Sequence, residues 1–156
     1  MLNDLYSKDV LRLAATITRT DRLGAPDITV SRRAPTCGSS ITIDLDIDTD
    51  GRVTDYGQDI HACALGQAAA SIVAKQVVGK TLGELLPVAE QVRAMLVDGA
   101  TSPEGDWTAF EALAPVHGYA PRHGAVMLAL EAVIDGLGQL AGKPAMGQTD
   151  QLTRRS

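Results

Sequence analysis

The side chains with the most chemistry to offer are few. Cys37 and Cys63 are the chain's two cysteines, and His61, His117 and His123 are its three histidines. Cys37 lies in Pro35-Thr36-Cys37-Gly38-Ser39, a loop stiffened by proline and made permissive by glycine. Cys63 lies in His61-Ala62-Cys63-Ala64-Leu65-Gly66, where a strand pattern gives way to an Ala-rich apolar stretch. A thiol at a helix N-terminus has its thiolate stabilised by the macrodipole. Thiolates are soft donors for iron and zinc, and a thiol can also accept sulfur. The plainer alternative is that both are small buried hydrophobes. The pair forms neither a CxxC nor a paired zinc motif, and isolated cysteines often pack in cores.

Other candidate motifs carry less. Ala74-Lys75-Gln76-Val77-Val78-Gly79-Lys80-Thr81 matches a relaxed phosphate-loop pattern. A true phosphate loop follows a buried strand and opens a long helix, whereas here an Ala-rich helix precedes it and Pro87 soon follows. The aspartates between Asp44 and Asp59 lack the loop spacing and terminal Glu of a calcium hand. Asp44, Asp46 and Asp48 alternate outward along a strand, which predicts a solvated sheet face that discourages edge association. No histidine pairs with a GxSxG serine or sits in an HExxH helix, so neither a hydrolytic triad nor a zinc protease is supported.

The elements that would position these groups follow from periodicity. Leu2, Leu5, Tyr6, Val10, Leu11, Leu13, Ala14 and Ile17 recur at helical spacing, predicting an amphipathic helix over 2–18. A loop follows over 19–27. Ile28 to Arg33 forms a strand, and Ile41-Thr42-Ile43-Asp44-Leu45-Asp46-Ile47-Asp48 alternates strictly, as a half-buried strand must. Asp50-Gly51 supplies a hairpin turn, and Arg52 to Ile60 returns as the partner strand. That hairpin folds positions 37 and 63 back to one edge of the sheet. Residues 62–78 are apolar nearly all round, predicting a buried helix with Gly79 as its C-cap. Thr81 and Glu84 have capping-box spacing. Pro87 argues for a short turn and then a helix over 87–97. Asp106 is a candidate cap for a short helix over 107–113, and Pro121 can open a last helix. Helix, three strands, then helices predict an α+β fold, a small antiparallel three-stranded sheet packed by helices on one face. The chain reads as one domain over 1–138 and a flexible C-terminal tail over 139–156.

Composition bounds the function class. The chain has 156 residues, 45% hydrophobic and 21% charged, with aromatics at only 3%. That length suits a single domain burying about 68–70% of its unfolded surface. The core must therefore be built from Leu, Val, Ile and Ala, whose small side chains favour close helix packing. A formal charge of −5 argues against nucleic acid as main partner. No uncharged apolar run approaches the roughly 18 residues of a membrane span. The first residues lack a basic region followed by an apolar one, so no secretory leader is expected and a reducing, cytoplasmic compartment is.

Taken in order, these residues resemble a family: the iron–sulfur cluster assembly scaffolds of the IscU/NifU N-terminal type, including the SufU branch. The resemblance covers roughly residues 3–135. It runs through the Leu5-Tyr6 helix, Pro35-Thr36-Cys37-Gly38 against the family's NPxCGD, and the strand pair carrying Gly51-Arg52-Val53-Thr54-Asp55. It continues with Ala62-Cys63-Ala64-Leu65-Gly66-Gln67-Ala68-Ala69-Ala70-Ser71 against GCxxxxASxS, and Val78-Gly79-Lys80-Thr81-Leu82 against the GKT(L) turn. The resemblance implies a SufE/NifU-like α+β fold and a non-enzymatic role. The implied cargo is iron, zinc or an iron–sulfur cluster. The implied partners are a cysteine desulfurase and apo-protein recipients, with no nucleic acid or membrane involved; a homo-oligomer is compatible with it.

Family members gather three cysteines with an Asp or His around the ion. Cys37 and Cys63 match the first two ligands. Ser39 stands where the family has Asp. Where the third cysteine opens the last helix, in RxKCATL or KxHCSML, this chain reads Arg122-His123-Gly124-Ala125-Val126-Met127-Leu128, with Ala125 on the cysteine position. His123, two residues earlier, is a candidate third ligand beside two thiolates; the alternative is a solvent-facing helix-start residue. Arg122 would favour thiolates and sulfide electrostatically. Three functions stay open at this point: a cluster scaffold, a SufE-type persulfide acceptor, and a diverged interaction module without metal.

Overall fold

The computed structural model describes residues 5–36 and 38–142. Its elements are α1 (Lys8–Ala15), β1 (Ile28–Ala34), β2 (Ser39–Ile47), β3 (Val53–His61), α2 (Ala64–Gln76), α3 (Leu82–Asp98), a 3-10 helix (Gly105–Gly118), a short 3-10 turn (Ala120–Arg122) and α4 (His123–Gly142). The expected α+β architecture is present. The strands pair antiparallel in the order β1-β2-β3, and the register places Ser39 opposite Ala34 and Ser40 opposite His61. The β1–β2 turn and the end of β3 therefore lie at the same end of the sheet.

The alternation in β2 works as its spacing predicts. Ile41, Ile43 and Leu45 are buried on the face covered by α4, which also packs on β1, α2 and α3. α2 is buried on nearly every side, from Leu65 through Ala74. It lies between α4, α1 and the 3-10 helix. The span Ala120–Gly142 is long and apolar enough by length and composition to cross a membrane, but 56% of its apolar window is buried in this fold. It is the central core helix, and the charged residues Arg122, Glu131 and Asp135 break the uninterrupted run that a sequence scan looks for.

Several expectations are corrected. Among the described residues the helix expected over 2–18 is interrupted: Leu5 is helical, Tyr6 and Ser7 are not, and α1 runs over Lys8–Ala15, where the Ser7 hydroxyl accepts from the Val10 amide at 3.2 Å at its start and the Thr16 hydroxyl donates back to the Arg12 carbonyl at 2.8 Å at its end. Leu5 is nonetheless buried, and residues 1–4 lie outside the described ones. α2 ends at Val77 and not at Gly79, whose amide instead donates to the Val53 carbonyl at 2.8 Å. Thr81 and Glu84 do form a full capping box, but α3 then runs unbroken through Pro87. Pro87 forfeits the bond to the Gly83 carbonyl, and both residues are exposed, so water can solvate the freed oxygen. The helix expected over 107–113 is a 3-10 helix extending to Gly118, with Glu104 and not Asp106 as its N-cap. Asp106 is engaged instead by Lys80 Nζ at 2.6 Å. α4 continues to Gly142, and residues 143–156 of the expected tail lie outside the described ones.

The outward aspartates are not a simple solvated face. Asp44 is fully buried: Arg22 Nε donates to it at 2.6 Å, the Leu23 amide at 3.0 Å and the Thr29 hydroxyl at 2.6 Å. Asp46 accepts from the Asp27 amide, and Asp48 from the amides of Asp50 and Arg52. The segment from Thr18 to Leu23 is thereby laid over the outer side and the β3 edge, where Gln58 also bonds the carbonyls of Thr18 and Arg19.

Candidate functional site

The site end of the sheet is built by three chain segments. The first is the β1–β2 turn. Cys37 lies outside the described residues, but its neighbours are placed. The Gly38 amide donates to the Ala34 carbonyl at 2.9 Å, and the Thr36 hydroxyl donates to the Pro121 carbonyl at 3.2 Å. The turn is thus tied to the segment that leads into α4.

The second segment is the start of α2. Cys63 is its N-cap residue, with extended backbone (φ −66°, ψ 173°) and no hydrogen bond from its side chain to the helix amides. Its thiol is free and half-buried, and it packs against the edge of the core. The first turn of α2 carries no acidic side chain, so nothing there offsets the positive end of the helix. This is the helix-start position that the sequence predicts for Cys63.

The third segment is the first turn of α4, and it touches both others. A Cβ added at Gly124 would lie 3.2 Å from Ala34 Cβ and 4.0 Å from Thr36 Oγ1. A Cβ added at Gly66, in the first turn of α2, would lie 3.5 Å from Ala125 Cβ and 2.7 Å from Ala62 Cβ. The position where the family resemblance expects a third cysteine is therefore placed between the other two segments. It is occupied by a buried methyl group, which ligates nothing.

His123, the first residue of α4, is half-buried. Its Nε2 lies 2.9 Å from the carbonyl oxygen of Val116 and 3.2 Å from that of His117. One edge of the ring is thus held by the last turn of the 3-10 helix. Arg122 beside it is half-buried and forms no ion pair among the described residues, so its charge is available to anions at this end. Ser39, where the resemblance expects Asp, is buried within the first residue of β2. Among the described residues, no three His, Cys, Asp or Glu side chains are grouped to hold a metal.

The other histidines are elsewhere in role. His61 is exposed, with Nε2 3.3 Å from Asp59 Oδ1. His117 Nδ1 bonds the Leu96 carbonyl at 2.8 Å, and its ring lies against Gly99. The phosphate-loop pattern has no free cradle: Gly79 and Lys80 bond Val53 through their backbone, and Thr81 is consumed in the capping box.

The 3-10 helix is the contributor that sequence reasoning missed. Trp107, Phe110, Leu113 and Val116 recur at an interval of three and are all buried. That is the 3-10 period, in which i and i+3 eclipse, and a spacing of 3.0 in the sequence carries that signal where 3.6 does not.

Comparison with known proteins bears on the family and the fold. The family model described as the NifU-like N terminal domain matches residues 5–125. No curated protein matches the chain. Among solved structures, the chain is similar to the N-terminal part of a nitrogen-fixing NifU-like protein from Brucella abortus, with 34% identity, 91% of this chain and 98% of that chain covered, and a TM-score of 0.87. It shares its fold with a protein described as a putative iron–sulfur cluster assembly scaffold for the SUF system from Fervidobacterium islandicum AW-1 (20% identity, 85% and 96% covered, TM-score 0.76). A hypothetical protein shares the fold likewise (23% identity, 87% and 98% covered, TM-score 0.72).

Proposed function

Because the chain belongs to the NifU-like N-terminal domain family, we propose that it acts in iron–sulfur cluster assembly as a scaffold-type protein. It holds iron, zinc or a nascent cluster through the thiolates of Cys37 and Cys63, with His123 as third donor. The observation that carries this reading is the meeting of the turn around position 37, the N-cap Cys63 and the first turn of α4 at one end of the sheet. Two thiolates and a neutral imidazole form a donor set that iron(II) and zinc both accept. Its task is stoichiometric, to hold and pass on, and not catalytic. It takes sulfur from a cysteine desulfurase and delivers to apo-protein recipients in a reducing, cytoplasmic setting. The Brucella relative, a NifU-like protein of 34% identity, supports the assignment.

One observation favours a second reading. With Ala125 in the third-cysteine position, a half-exposed Cys63 thiol can instead serve as a sulfur acceptor. The Cys63 thiolate would attack the outer sulfur of the desulfurase persulfide. A new S–S bond forms on Cys63, the old S–S bond breaks, and the desulfurase thiolate leaves.

Anaerobic purification with quantification of iron and zinc per chain tests both. The scaffold reading expects metal on the wild type and its loss from Cys37→Ser and Cys63→Ser. A wild type that binds neither metal under any loading condition removes it. A persulfide on a single cysteine after incubation with a desulfurase, without metal, would put the acceptor reading in its place.

A further inference from the structure

Among the described residues, four large apolar side chains are exposed: Leu11, Val78, Leu86 and Val97. A single exposed apolar residue is ordinary. Leu86 and Val97, however, stand on one line of α3, 46% and 59% exposed, with the exposed Glu90 and Arg93 between them. The steps from 86 to 90 to 93 to 97 are four, three and four, the alternation of a coiled-coil seam. The core-facing side of α3, Leu85, Ala89, Val92 and Leu96, is a separate line that is already buried.

The exposed line reads the same in both directions: apolar, charged, charged, apolar. In an antiparallel helix pair, Leu86 meets Val97 of a second copy and Glu90 meets Arg93 of that copy, each contact occurring twice about a two-fold axis. In a parallel pair the same spacing would set Glu90 on Glu90 and Arg93 on Arg93, so charge selects the antiparallel arrangement and fixes its register. The charges are free to do this. Glu90 forms no ion pair among the described residues. Arg93 donates to Glu131 at 2.9 Å, but its side chain is 56% exposed and its guanidinium has further N–H groups to offer.

We propose that the exposed face of α3 is a self-complementary docking surface on which a second copy of this chain packs as an antiparallel helix pair. Four positions per helix fall short of a standard interface of about 1,600 Å², so the dimer is weak and reversible. It also leaves each site to itself. α4 runs antiparallel to α3, since Arg93 reaches Glu131 while Leu82 shares a cleft with Leu137 and Ala141. The start of α4, which packs beside the first turn of α2, therefore lies toward the Val97 end of α3. Antiparallel pairing sends the two Val97 ends in opposite directions, and neither copy lends a donor to the other. The proposal does not depend on the metal-holding reading above.

Sedimentation velocity of the full chain, from about 10 μM to about 1 mM, tests it. The wild type should pass from monomer to dimer over that range. Glu90→Arg alone sets like charges opposite each other twice, as does Arg93→Glu alone, and each should weaken association about tenfold or more. Mixed in equal amounts, the two variants should regain association, because in the mixed pair every charge again meets its opposite. Arg93→Glu also loses the bond to Glu131, so circular dichroism checks its fold. Val97→Ser is a second variant that leaves the charges in place; it should weaken association, while Leu11→Ser, at an exposed apolar residue of α1, should not. A chain still monomeric at about 1 mM overturns the proposal. So does a dimer that Glu90→Arg and Val97→Ser leave unmoved, or that Leu11→Ser weakens equally, since it forms through another face. A mixture of the two folded charge variants that gains nothing over either alone overturns it as well.

Discussion

Gly66 and Ala125 face each other across the contact between α2 and α4: a side-chain carbon on Gly66 would sit 3.5 Å from the Ala125 methyl and 3.4 Å from its carbonyl oxygen. The same carbon would lie 2.7 Å from Ala62 Cβ, closer than atoms tolerate. Gly66→Ala must therefore displace the first turn of α2, which carries Cys63. Overpacking of this kind costs about 1–3 kcal/mol. The expected outcome is a lower denaturant midpoint, followed by fluorescence of Trp107, and, under the scaffold reading, weaker metal retention. Unchanged stability would mean that the two helices separate freely here.

Ala125→Cys returns a sulfur to the position between the other two segments. Ala125 is 1% exposed, so the added atom meets packed neighbours and some stability is lost. Under the scaffold reading, the extra thiolate should tighten zinc or iron on the order of tenfold, about 1.4 kcal/mol. Competition against a chelator measures it. No gain in affinity, in a variant that stays folded, would place the ion away from residue 125.

Much of this arrangement is legible in the sequence, for identifiable reasons. The alternation of Ile41, Ile43 and Leu45 gives β2 its buried face, and the Thr81–Glu84 pair marks the start of α3, because both signals are local. The helix start at Cys63 is local too. What stays hidden depends on partners distant in the chain. Alternation says that Asp44 points away from Ile43, but not that Arg22 and Leu23 will cover it. The partners of His123 are backbone carbonyls, which every residue possesses, so no residue type announces them. Cys37 lies outside the described residues, and its place is inferred only from Thr36 and Gly38.

Asp44 should make stability acid-sensitive. Burial pushes its carboxyl pKa up, but hydrogen bonds from Arg22, Thr29 and the Leu23 amide outweigh burial and hold it below the ordinary carboxylate value. With the folded value depressed, the unfolded chain takes up the proton first as pH falls. The contribution is then fully present above about pH 4 and is lost as pH drops through the folded value. Asp44→Asn should lower stability at neutral pH by about 1–3 kcal/mol and flatten the acid limb of the stability curve. Denaturant titrations from neutral pH down through the carboxylate range check both; an unchanged acid limb would assign that limb to other carboxylates.

The period of three in the 3-10 helix separates neighbours that an α-helix would treat alike. Phe110 is fully buried and stacks on Trp107 with ring centroids 6.3 Å apart, while Glu111 is exposed. In an α-helix over the same residues, Glu111 would fall on the face of Trp107, four residues before it. Phe110→Ala should therefore cost about 3–5 kcal/mol. Glu111→Ala should stay within about 0.5 kcal/mol of the wild type. The carbonyls of Val116 and His117 that hold His123 belong to the same helix, so under the scaffold reading with His123 as third donor, loosening its core at Phe110 should also weaken zinc retention, whereas Glu111→Ala should leave retention unchanged. Equal costs at the two positions would refute the 3-10 arrangement. Full zinc retention in a folded Phe110→Ala chain would count against His123 as a donor placed by this helix.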